Sequence, residues 1–286
     1  MEDKASIAVD MAMNELANFD MVAGNETETS SSSEYIHHHR HEYIRTVRDI
    51  ISYAPLNGGE IRVLEIGAFF GVVCMALSYL GYTVTAADIP EYIELPAQVE
   101  RYAKYGIKTK GIRLEEFILP FDDEIFDVII MCEVLEHLNF NPLPLLKEIN
   151  RIGKPQSIFY LSLPNLASIY NRKRFLFGDS VGLTVDSFYG QLDPKVPEIA
   201  NGHWREYTLS ETRQMLEPLG YRMTHQYYFS LGETQPVSGI RKRMARALFE
   251  RFPAFKENQT TIAVREKRTD IVFSIPSTVH PVLREL

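Results

Sequence analysis

An acidic side chain and two glycines stand at the end of the first strongly apolar run of the chain. Glu65 nearly closes that run, and Gly67 and Gly71 follow it, with Ala68 and two phenylalanines between them. Glycine permits a tight turn and lets a ligand approach the backbone closely. About twenty residues further on, Asp88 ends the next apolar run, where a carboxylate of a doubly wound sheet can accept both ribose hydroxyls of an adenosine. This spacing predicts a nucleotide-type cofactor site, although two glycines and an acid also occur at ordinary strand–turn–helix junctions.

Short apolar segments alternate with helical patterns along the chain from residue 61 onward. Apolar, β-branched runs are typical of buried strands, and apolar residues spaced by three and four are typical of helices. The alternation predicts βαβ units, and therefore an α/β fold whose mostly parallel sheet has helices on both faces. The predicted strands cover residues 61–66, 83–87, 107–110, 126–132, 158–163, 221–230 and 260–265, and the main predicted helices cover residues 71–80, 143–152, 210–219 and 240–252.

The pattern divides the chain into an arm, a main domain and a tail. The pattern of residues 1–56 predicts an N-terminal helical arm. Its two helices are joined by a polar, flexible link at residues 24–33. Residues 57–266 form the predicted main domain, and residues 164–208 interrupt its rhythm as an insert after the fifth strand. Loops of this length inside a compact domain are usually functional. Residues 267–286 are a tail without a clear pattern.

The composition of the 286 residues is that of an ordinary globular protein, with 45% hydrophobic and 24% charged residues. The net charge of −8 argues against a broad nucleic-acid-binding surface. No apolar stretch approaches the length of a membrane span, and the first ten residues lack a secretory pattern. The two cysteines lie in apolar runs, which favours a cytoplasmic protein. The methionines at 11, 13 and 21 are interpreted as packing or homodimer contacts.

Four segments, in this order, resemble the class I S-adenosylmethionine-dependent methyltransferases. They are VLEIGAFFG at 63–71, LPFDDEIFDVII at 119–130, CEVLEHL at 132–138 and KEINRIGKP at 147–155. The resemblance runs from residue 61 to residue 163 and resumes at 202–221. It implies a Rossmann-like, doubly wound sheet of seven mostly parallel strands with the last one antiparallel. It also implies S-adenosylmethionine as the cofactor and methyl transfer as the activity.

The resemblance further implies where the cofactor binds. Glu65 and Gly67 would lie under its methionyl and ribose parts, and Asp88 would bind the ribose hydroxyls. Phe69 and Phe70 stand where many members have Gly-Thr, so the loop is bulkier here and narrows the pocket. The residues carried over as cofactor-binding are Glu65, Gly67, Ala68, Gly71, Asp88, Ile89, Glu115, Cys132 and Glu133.

A second, narrower resemblance concerns the acceptor. SLPN at 162–165, then Arg172 and Gly178, then GHWREYT at 202–208 resemble methyltransferases of polysaccharide, glycolipid and natural-product sugar pathways. In those enzymes the insert closes over the acceptor, which implies a small polar acceptor such as a sugar or nucleotide sugar. Arg172, Arg205 and Tyr207 are the substrate-binding candidates, because guanidinium groups bind phosphates and carboxylates. A solvated basic loop is the alternative interpretation of the arginines.

His137 and His203 are the candidate catalytic residues. Methyl transfer is an in-line displacement in which the leaving group needs no acid, but an oxygen acceptor needs a base. His137 follows the predicted fourth strand and His203 ends the insert, so both belong to the face expected for the acceptor. The alternative for His137 is a histidine that only hydrogen-bonds the backbone beside the cofactor.

The cluster His37–His41 could present two metal ligands on one helical face. No further ligands are apparent, so we predict no metal site and favour a cationic helix face. A lid is a third interpretation, because Tyr35, His39 and Tyr43 share a helical spacing that could cover the cofactor. Two interpretations also stay open for the basic amphipathic helix at 240–252. Its basic face either lies in solvent or contacts an anionic membrane or a partner.

Three other functions remain as alternatives. A non-catalytic cofactor-binding or scaffold protein of the same fold is suggested by the bulky glycine loop. A nicotinamide-dependent oxidoreductase fits poorly, since Gly67 and Gly71 do not make the pattern G-x-G-x-x-G. A nucleic-acid methyltransferase is disfavoured by the charge and by CEVL at 132–135, where such enzymes carry Asn/Asp-Pro-Pro-Tyr/Phe.

Overall fold

Seven strands and nine helices make up the described part of the chain. The computed structural model describes residues 3–16, 29–185, 189, 202–231 and 239–273. The helices are α1 (Lys4–Leu16), α2 (Thr29–Tyr53), α3 (Val72–Tyr79), α4 (Pro90–Ile93), α5 (Pro96–Lys104), α6 (Leu143–Ile152), α7 (Ile169–Leu176), α8 (Leu209–Leu216) and α9 (Ile240–Arg251). The strands are β1 (Arg62–Ile66), β2 (Thr83–Asp88), β3 (Lys108–Gly111), β4 (Phe126–Cys132), β5 (Gly153–Pro164), β6 (Tyr221–Phe229) and β7 (Asn258–Arg265).

The strands form one sheet in the order β3-β2-β1-β4-β5-β7-β6. β1 is central and pairs in parallel with both β2 and β4. β7 runs antiparallel to its neighbours β5 and β6. The predicted Rossmann-like sheet with an antiparallel last strand is therefore confirmed. The carboxyl ends of β1, β2 and β4 meet at one edge, which is where ligands bind in sheets of this kind.

Each strand of the sheet centre alternates between two cores. Val63, Val84 and Val128 face one core, whereas Leu64 and Ile129 face the other. Because both faces are covered, the strands read as continuous apolar runs, and this explains why the sequence located β4 at its correct bounds. The first core is closed by α1, α2 and α3, and the second by α6 and α8.

The N-terminal arm packs into the first core. Helix α1 buries its apolar face, including Ala8 and Ala12, against α3 and α2. Helix α2 begins at Thr29, so the second half of the predicted link is helical and only its first residues, 24–28, lie outside the described chain. The predicted bounds of link 24–33 are therefore wrong at their C-terminal side.

The C-terminal half of α2 is fixed to the sheet by polar contacts. Asp49 accepts hydrogen bonds from the hydroxyls of Tyr160 on β5 and Tyr227 on β6. The guanidinium of Arg45 lies 4.7 Å from the ring centre of Phe229. These contacts leave the N-terminal half of α2 to reach across the carboxyl edge of the sheet.

Of the predicted insert 164–208, residues 186–188 and 190–201 lie outside the described chain, as do residues 274–286 of the predicted tail. Within the described ranges, no helix is both long enough and apolar enough to cross a bilayer.

The buried amide of Asn150 joins α6 to the start of β6 and to the segment after β7. Its Nδ2 donates to the carbonyl oxygens of Leu219, at 2.9 Å, and Lys267, at 3.2 Å, and its Oδ1 accepts from the Thr269 N–H at 3.0 Å. Asn150→Ala leaves these groups unpaired, so we expect the free energy of unfolding to fall by roughly 2–4 kcal/mol. Urea denaturation measures it, with the exposed Asn139→Ala as control. A loss below that of the control would contradict the assignment.

Candidate active site

The glycine loop after β1 is bent by its hydrogen bonds to β2. The N–H groups of Gly67 and Ala68 donate to the carbonyl oxygen of Ala87, at 2.9 and 3.2 Å. Gly67 has φ +77° and Gly71 has φ +74°, a left-handed region that side chains disfavour. A Cβ on Gly67 would collide with Val134, and one on Gly71 with Tyr102. Both glycines are therefore required by backbone conformation and by space.

Asp88 at the end of β2 holds the middle of this loop. Its carboxylate accepts from the backbone N–H of Phe69, at 2.8 Å, and from that of Ile89, at 2.7 Å. Burial raises the pKa of Asp88, and the two N–H donors partly offset this increase because they favour the charged form. Ile89 is half-buried and begins α4. The cofactor-binding candidates Asp88 and Ile89 thus lie together beside the loop.

Phe69 adopts a left-handed conformation although it is not glycine, with φ +44°. Helix α5 supports this conformation, since Tyr102 donates to the carbonyl of Phe69 at 3.2 Å and Arg101 donates to that of Phe70 at 2.7 Å. The ring of Phe69 lies 5.9 Å from that of Tyr35 on α2 and makes an edge contact with it. The two supporting residues on α5 carry no motif, so no pattern in the sequence predicted their role.

A cavity of about 60 Å³ lies between α2 and the carboxyl edge of the sheet. Glu65, Gly67, Ala68, Gly71, Cys132 and Glu133, all predicted to bind cofactor, line it together with Tyr35, His39, Glu42, Tyr43 and Thr46 of α2. Glu115 is exposed in a 3₁₀ turn at Leu114–Glu116, and it does not belong to this lining. The structure therefore brings the glycine loop, the end of β4 and the arm around one space.

Buried carboxyl groups surround this space. Oε2 of Glu65, Oε1 of Glu133 and both carboxyl oxygens of Glu136 are buried and have no hydrogen-bond partner. Burial raises the pKa of Glu65 to about 7 and that of Glu136 to about 7. Burial raises the pKa of Glu133 well above its ordinary value, and the neighbouring Glu42 and Glu136 raise it further. Such groups require a cationic or hydrogen-bond-donating partner.

The two candidate histidines lie side by side next to Glu136, with ring centres 5.0 Å apart. Nδ1 of His137 is 3.2 Å from the carbonyl oxygen of Gly202, to which it can donate. Burial and then the neighbouring His203 lower the pKa of His137, so its ring favours the neutral form. The turn after β4 and the end of the insert are therefore in contact.

His203 forms a dyad with Glu206. Nδ1 of His203 lies 3.1 Å from Oε1 of Glu206, and this hydrogen bond raises the pKa of His203. Burial alone would raise the pKa of Glu206, but the hydrogen bonds from His203 and Asn171 outweigh it and lower that pKa. Nδ2 of Asn171 on α7 donates to Oε2 of Glu206 at 2.7 Å. Sequence reasoning missed Glu206, Asn171 and Glu136, although Glu136 stands beside His137.

The ligand atoms of Glu136, His137 and His203 all lie within 4.8 Å of one another, an arrangement that could hold a metal ion. The sequence predicted no metal site and considered only His37–His41 as an alternative. In that cluster, Nδ1 of His39 is hydrogen-bonded to Oε2 of Glu42 at 2.9 Å.

A second cavity, of about 720 Å³, is lined by the residues that directly follow the two histidines, Leu138 and Trp204, among others. Trp204 and Arg205 line it, and their backbone N–H groups donate to the carbonyl of Glu136 at 2.8 and 3.3 Å. The substrate candidate Arg205 pairs with Glu211 at 3.0 Å, and Tyr207 is buried in the cavity wall. Arg172 lies apart from this cavity, over the ring of Phe255.

Comparisons with known proteins identify the family and the fold. The profile of a family described as a methyltransferase domain matches residues 35–226. A ubiquinone biosynthesis O-methyltransferase of Rickettsia prowazekii is 25% identical over 168 residues, which cover 57% of this chain and 62% of the relative. The chain thus spans about three fifths of the curated relatives it matches.

Two solved structures illustrate the fold. A possible histamine N-methyltransferase of Thermotoga maritima superposes with a TM-score of 0.51 at 17% identity, over 83% of this chain and 95% of the other. The cyclase SpnF superposes with a TM-score of 0.50 at 15% identity, over 79% of this chain and 82% of the other. At these identities the likeness shows the fold alone.

Gly67 and Gly58 offer a matched test of the loop. Both have positive φ, but a Cβ on Gly58 has nothing within 4 Å, whereas one on Gly67 meets Val134. We expect Gly58→Ala to lower the free energy of unfolding by about 1 kcal/mol and Gly67→Ala by about 3 kcal/mol, because only the second adds overlap to backbone strain. Thermal denaturation measures both, and equal losses would show that the loop tolerates a side chain.

Proposed function

The chain belongs to the methyltransferase-domain family, and we propose that it transfers the methyl group of S-adenosylmethionine to a hydroxyl oxygen of a small polar acceptor. The observation that carries the oxygen acceptor is the His203–Glu206 dyad, a base beside the buried acids at the end of β4. The curated relatives named O-methyltransferases support the same kind of acceptor atom.

The buried acids fit the cofactor. S-adenosylmethionine supplies, when bound, an electrophilic methyl group on a positively charged sulfur. Glu65 and Glu133 present unpartnered carboxyl oxygens to the cavity, and a cationic ligand with N–H and O–H donors would satisfy them. Asp88 would bind the ribose, and the Gly67–Gly71 turn would allow the cofactor to lie against the backbone.

His203 acts in this proposal as the general base. Its Nδ1–H donates to Glu206, so the lone pair on Nε2 is free to take the proton of the acceptor hydroxyl. As that O–H bond breaks, the acceptor oxygen forms the new bond to the methyl carbon and the carbon–sulfur bond breaks. Glu206 is a positioning residue, because it fixes the ring and stabilises its protonated form, and Asn171 in turn orients Glu206.

The second cavity is the proposed acceptor site. Trp204 is 41% exposed and lines this cavity together with Asn139, Asn141 and Gln214. A lining of one aromatic residue and several amides suits the apolar face and the hydroxyls of a sugar ring. A sugar-like acceptor follows from the proposed role of this cavity, to which the insert contributes Trp204, Arg205 and Tyr207.

The arm is proposed to act as a lid. Tyr35, His39 and Tyr43 of α2 line the cavity, which measures about 60 Å³. Outward movement of the N-terminal half of α2 would widen this space for a nucleoside cofactor. Its return would exclude water, and this favours displacement over hydrolysis.

We expect Asp88→Ala to weaken binding of S-adenosylhomocysteine at least about tenfold, equivalent to ~1.4 kcal/mol, because the ribose loses its acceptor and Phe69 loses its anchor. Isothermal titration calorimetry measures the affinity, and the exposed Asp122→Ala is the matched control. Unchanged affinity in Asp88→Ala would place the ribose elsewhere.

We expect His203→Ala to lower kcat/KM for methyl transfer by about 10²- to 10⁴-fold, because the acceptor hydroxyl loses its base. The activity of the parent protein should rise with pH through the pKa of His203, which Glu206 raises, since only neutral His203 accepts a proton. Glu206→Gln should move this rise to lower pH and reduce the maximal rate.

The assay follows methyl transfer to a panel of sugars and nucleotide sugars, with the exposed His225→Ala as control. A pH profile unchanged in Glu206→Gln would remove His203 as the base. Loss of activity on chelation would instead indicate a metal held by Glu136, His137 and His203. Cofactor binding without product from any acceptor would favour the non-catalytic alternative.

A further inference from the structure

Positive charge is concentrated on two helices of an acidic protein. Helices α7 and α9 together contain eight Lys and Arg residues and a single acid, Glu250. These twenty residues thus carry a net charge of +7, although the whole chain carries −8. Such segregation needs a reason, because a solvated surface is more commonly mixed in sign.

The same helices expose large apolar side chains. At α7 and its C-terminal end, Tyr170 is 61%, Phe175 64%, Leu176 80% and Phe177 71% exposed. Arg172 and Lys173, also exposed, stand between these residues in sequence. Exposed apolar residues in a group, rather than singly, indicate an interaction surface.

Helix α9 repeats this combination with a regular spacing. Ile240, Met244, Leu248 and Phe252 follow one another at intervals of four residues, and all four are exposed, Ile240 to 76% and Met244 to 67%. Residues four apart share a helix face, so they form an apolar stripe along α9. Arg243 and Arg251 are exposed on the same helix.

The two helices adjoin through a short 3₁₀ turn at Pro253–Phe255. The ring of Phe252 stacks on that of Phe255 with centres 5.3 Å apart, and the guanidinium of Arg172 lies 5.4 Å from the Phe255 ring. We call the exposed apolar and basic residues of α7 and α9 the docking face. It is continuous at this turn.

We propose that the docking face binds the surface of an anionic phospholipid membrane. The apolar side chains enter the boundary between headgroups and acyl chains, and the flanking cations pair with lipid phosphates. A second copy of the chain is a poor occupant, because α7 and α9 carry a net charge of +7 in each copy and the two copies would repel each other. The rest of the chain is acidic and is repelled by anionic lipid, so the molecule would turn its docking face toward the membrane.

The docking face also adjoins the candidate active site. Asn171 belongs to α7, and its side chain holds Glu206, the partner of His203. A membrane bound by α7 would therefore lie on the side of the molecule where Glu206 orients His203. This placement is independent of the identity of the acceptor.

Cosedimentation of the full chain with lipid vesicles tests the proposal. We expect binding to vesicles that contain phosphatidylglycerol, little binding to phosphatidylcholine alone, and weakening at high salt. Each charge reversal, Lys173→Glu or Arg243→Glu, should weaken binding at least about fivefold, the factor that corresponds to ~1 kcal/mol per cation. The double variants Phe175→Glu/Leu176→Glu and Met244→Glu/Leu248→Glu should weaken it more.

Two matched controls lie elsewhere on the surface. Ile118→Glu places an acid at a side chain that is 52% exposed, and Lys108→Glu reverses an exposed charge on β3. Both should bind vesicles as the parent does, and every variant should keep its circular dichroism spectrum and its affinity for S-adenosylhomocysteine. Equal binding to neutral vesicles, equal losses in the controls, or self-association without vesicle binding would overturn the proposal.

Discussion

Several glutamate carboxyl groups are buried at the carboxyl edge of the parallel sheet, and their desolvation is the constraint around which the site is built. Glu65 is the last but one residue of β1, Glu133 and Glu136 follow β4, and Glu42 lies on α2. Glu42, Glu65 and Glu133 line one cavity. Burial of carboxylates without partners is costly, so Glu65, Glu133 and Glu136 favour their protonated forms until a ligand compensates them. Within the described chain, the site is therefore built to receive positive charge and hydrogen-bond donors, which agrees with a sulfonium cofactor.

Hydrogen bonds from other side chains hold the polypeptide around these acids, and Glu42 itself accepts one from Ser162 of β5. Asp88 fixes the glycine loop from β2, and Arg101 and Tyr102 fix it from α5. Asp49 attaches α2 to two tyrosines of the sheet. In the N-terminal half of α2, Ile36 is buried in the core and Arg40 pairs with Asp10 of α1, so the proposed lid movement would have to release both contacts. The loop and the helix that covers it would then admit the cofactor and exclude water.

The insert connects chemistry with the molecular surface. Asn171 and Glu206 belong to it and orient His203, whereas the neighbouring aromatic and basic residues of α7 face solvent. One segment thus serves the proposed base on its inner side and the proposed membrane contact on its outer side. Substrate delivery and catalysis would share a single structural element, and selection on one would constrain the other.

The sequence by itself determined the sheet and its ligand-binding edge. Strands buried on both faces leave continuous apolar runs, and the turns after them require glycine or end in acids, so Glu65, Gly67 and Asp88 could be placed from local pattern alone. The antiparallel last strand came from the resemblance to a family and not from any local signal. The roles of the individual site residues stay predictions.

Only the tertiary structure decided which distant groups meet. Glu206 and Asn171 are separated by 35 residues and carry no motif, and Arg101 acts on the glycine loop from 31 residues away. Contacts of this kind depend on how helices pack across the sheet, which local composition does not encode. The helical start of α2 at Thr29 was missed for a related reason, because a helix whose later turns are buried in the core, at Ile36, Ile44 and Val47, can extend into a polar segment of weak intrinsic helix propensity.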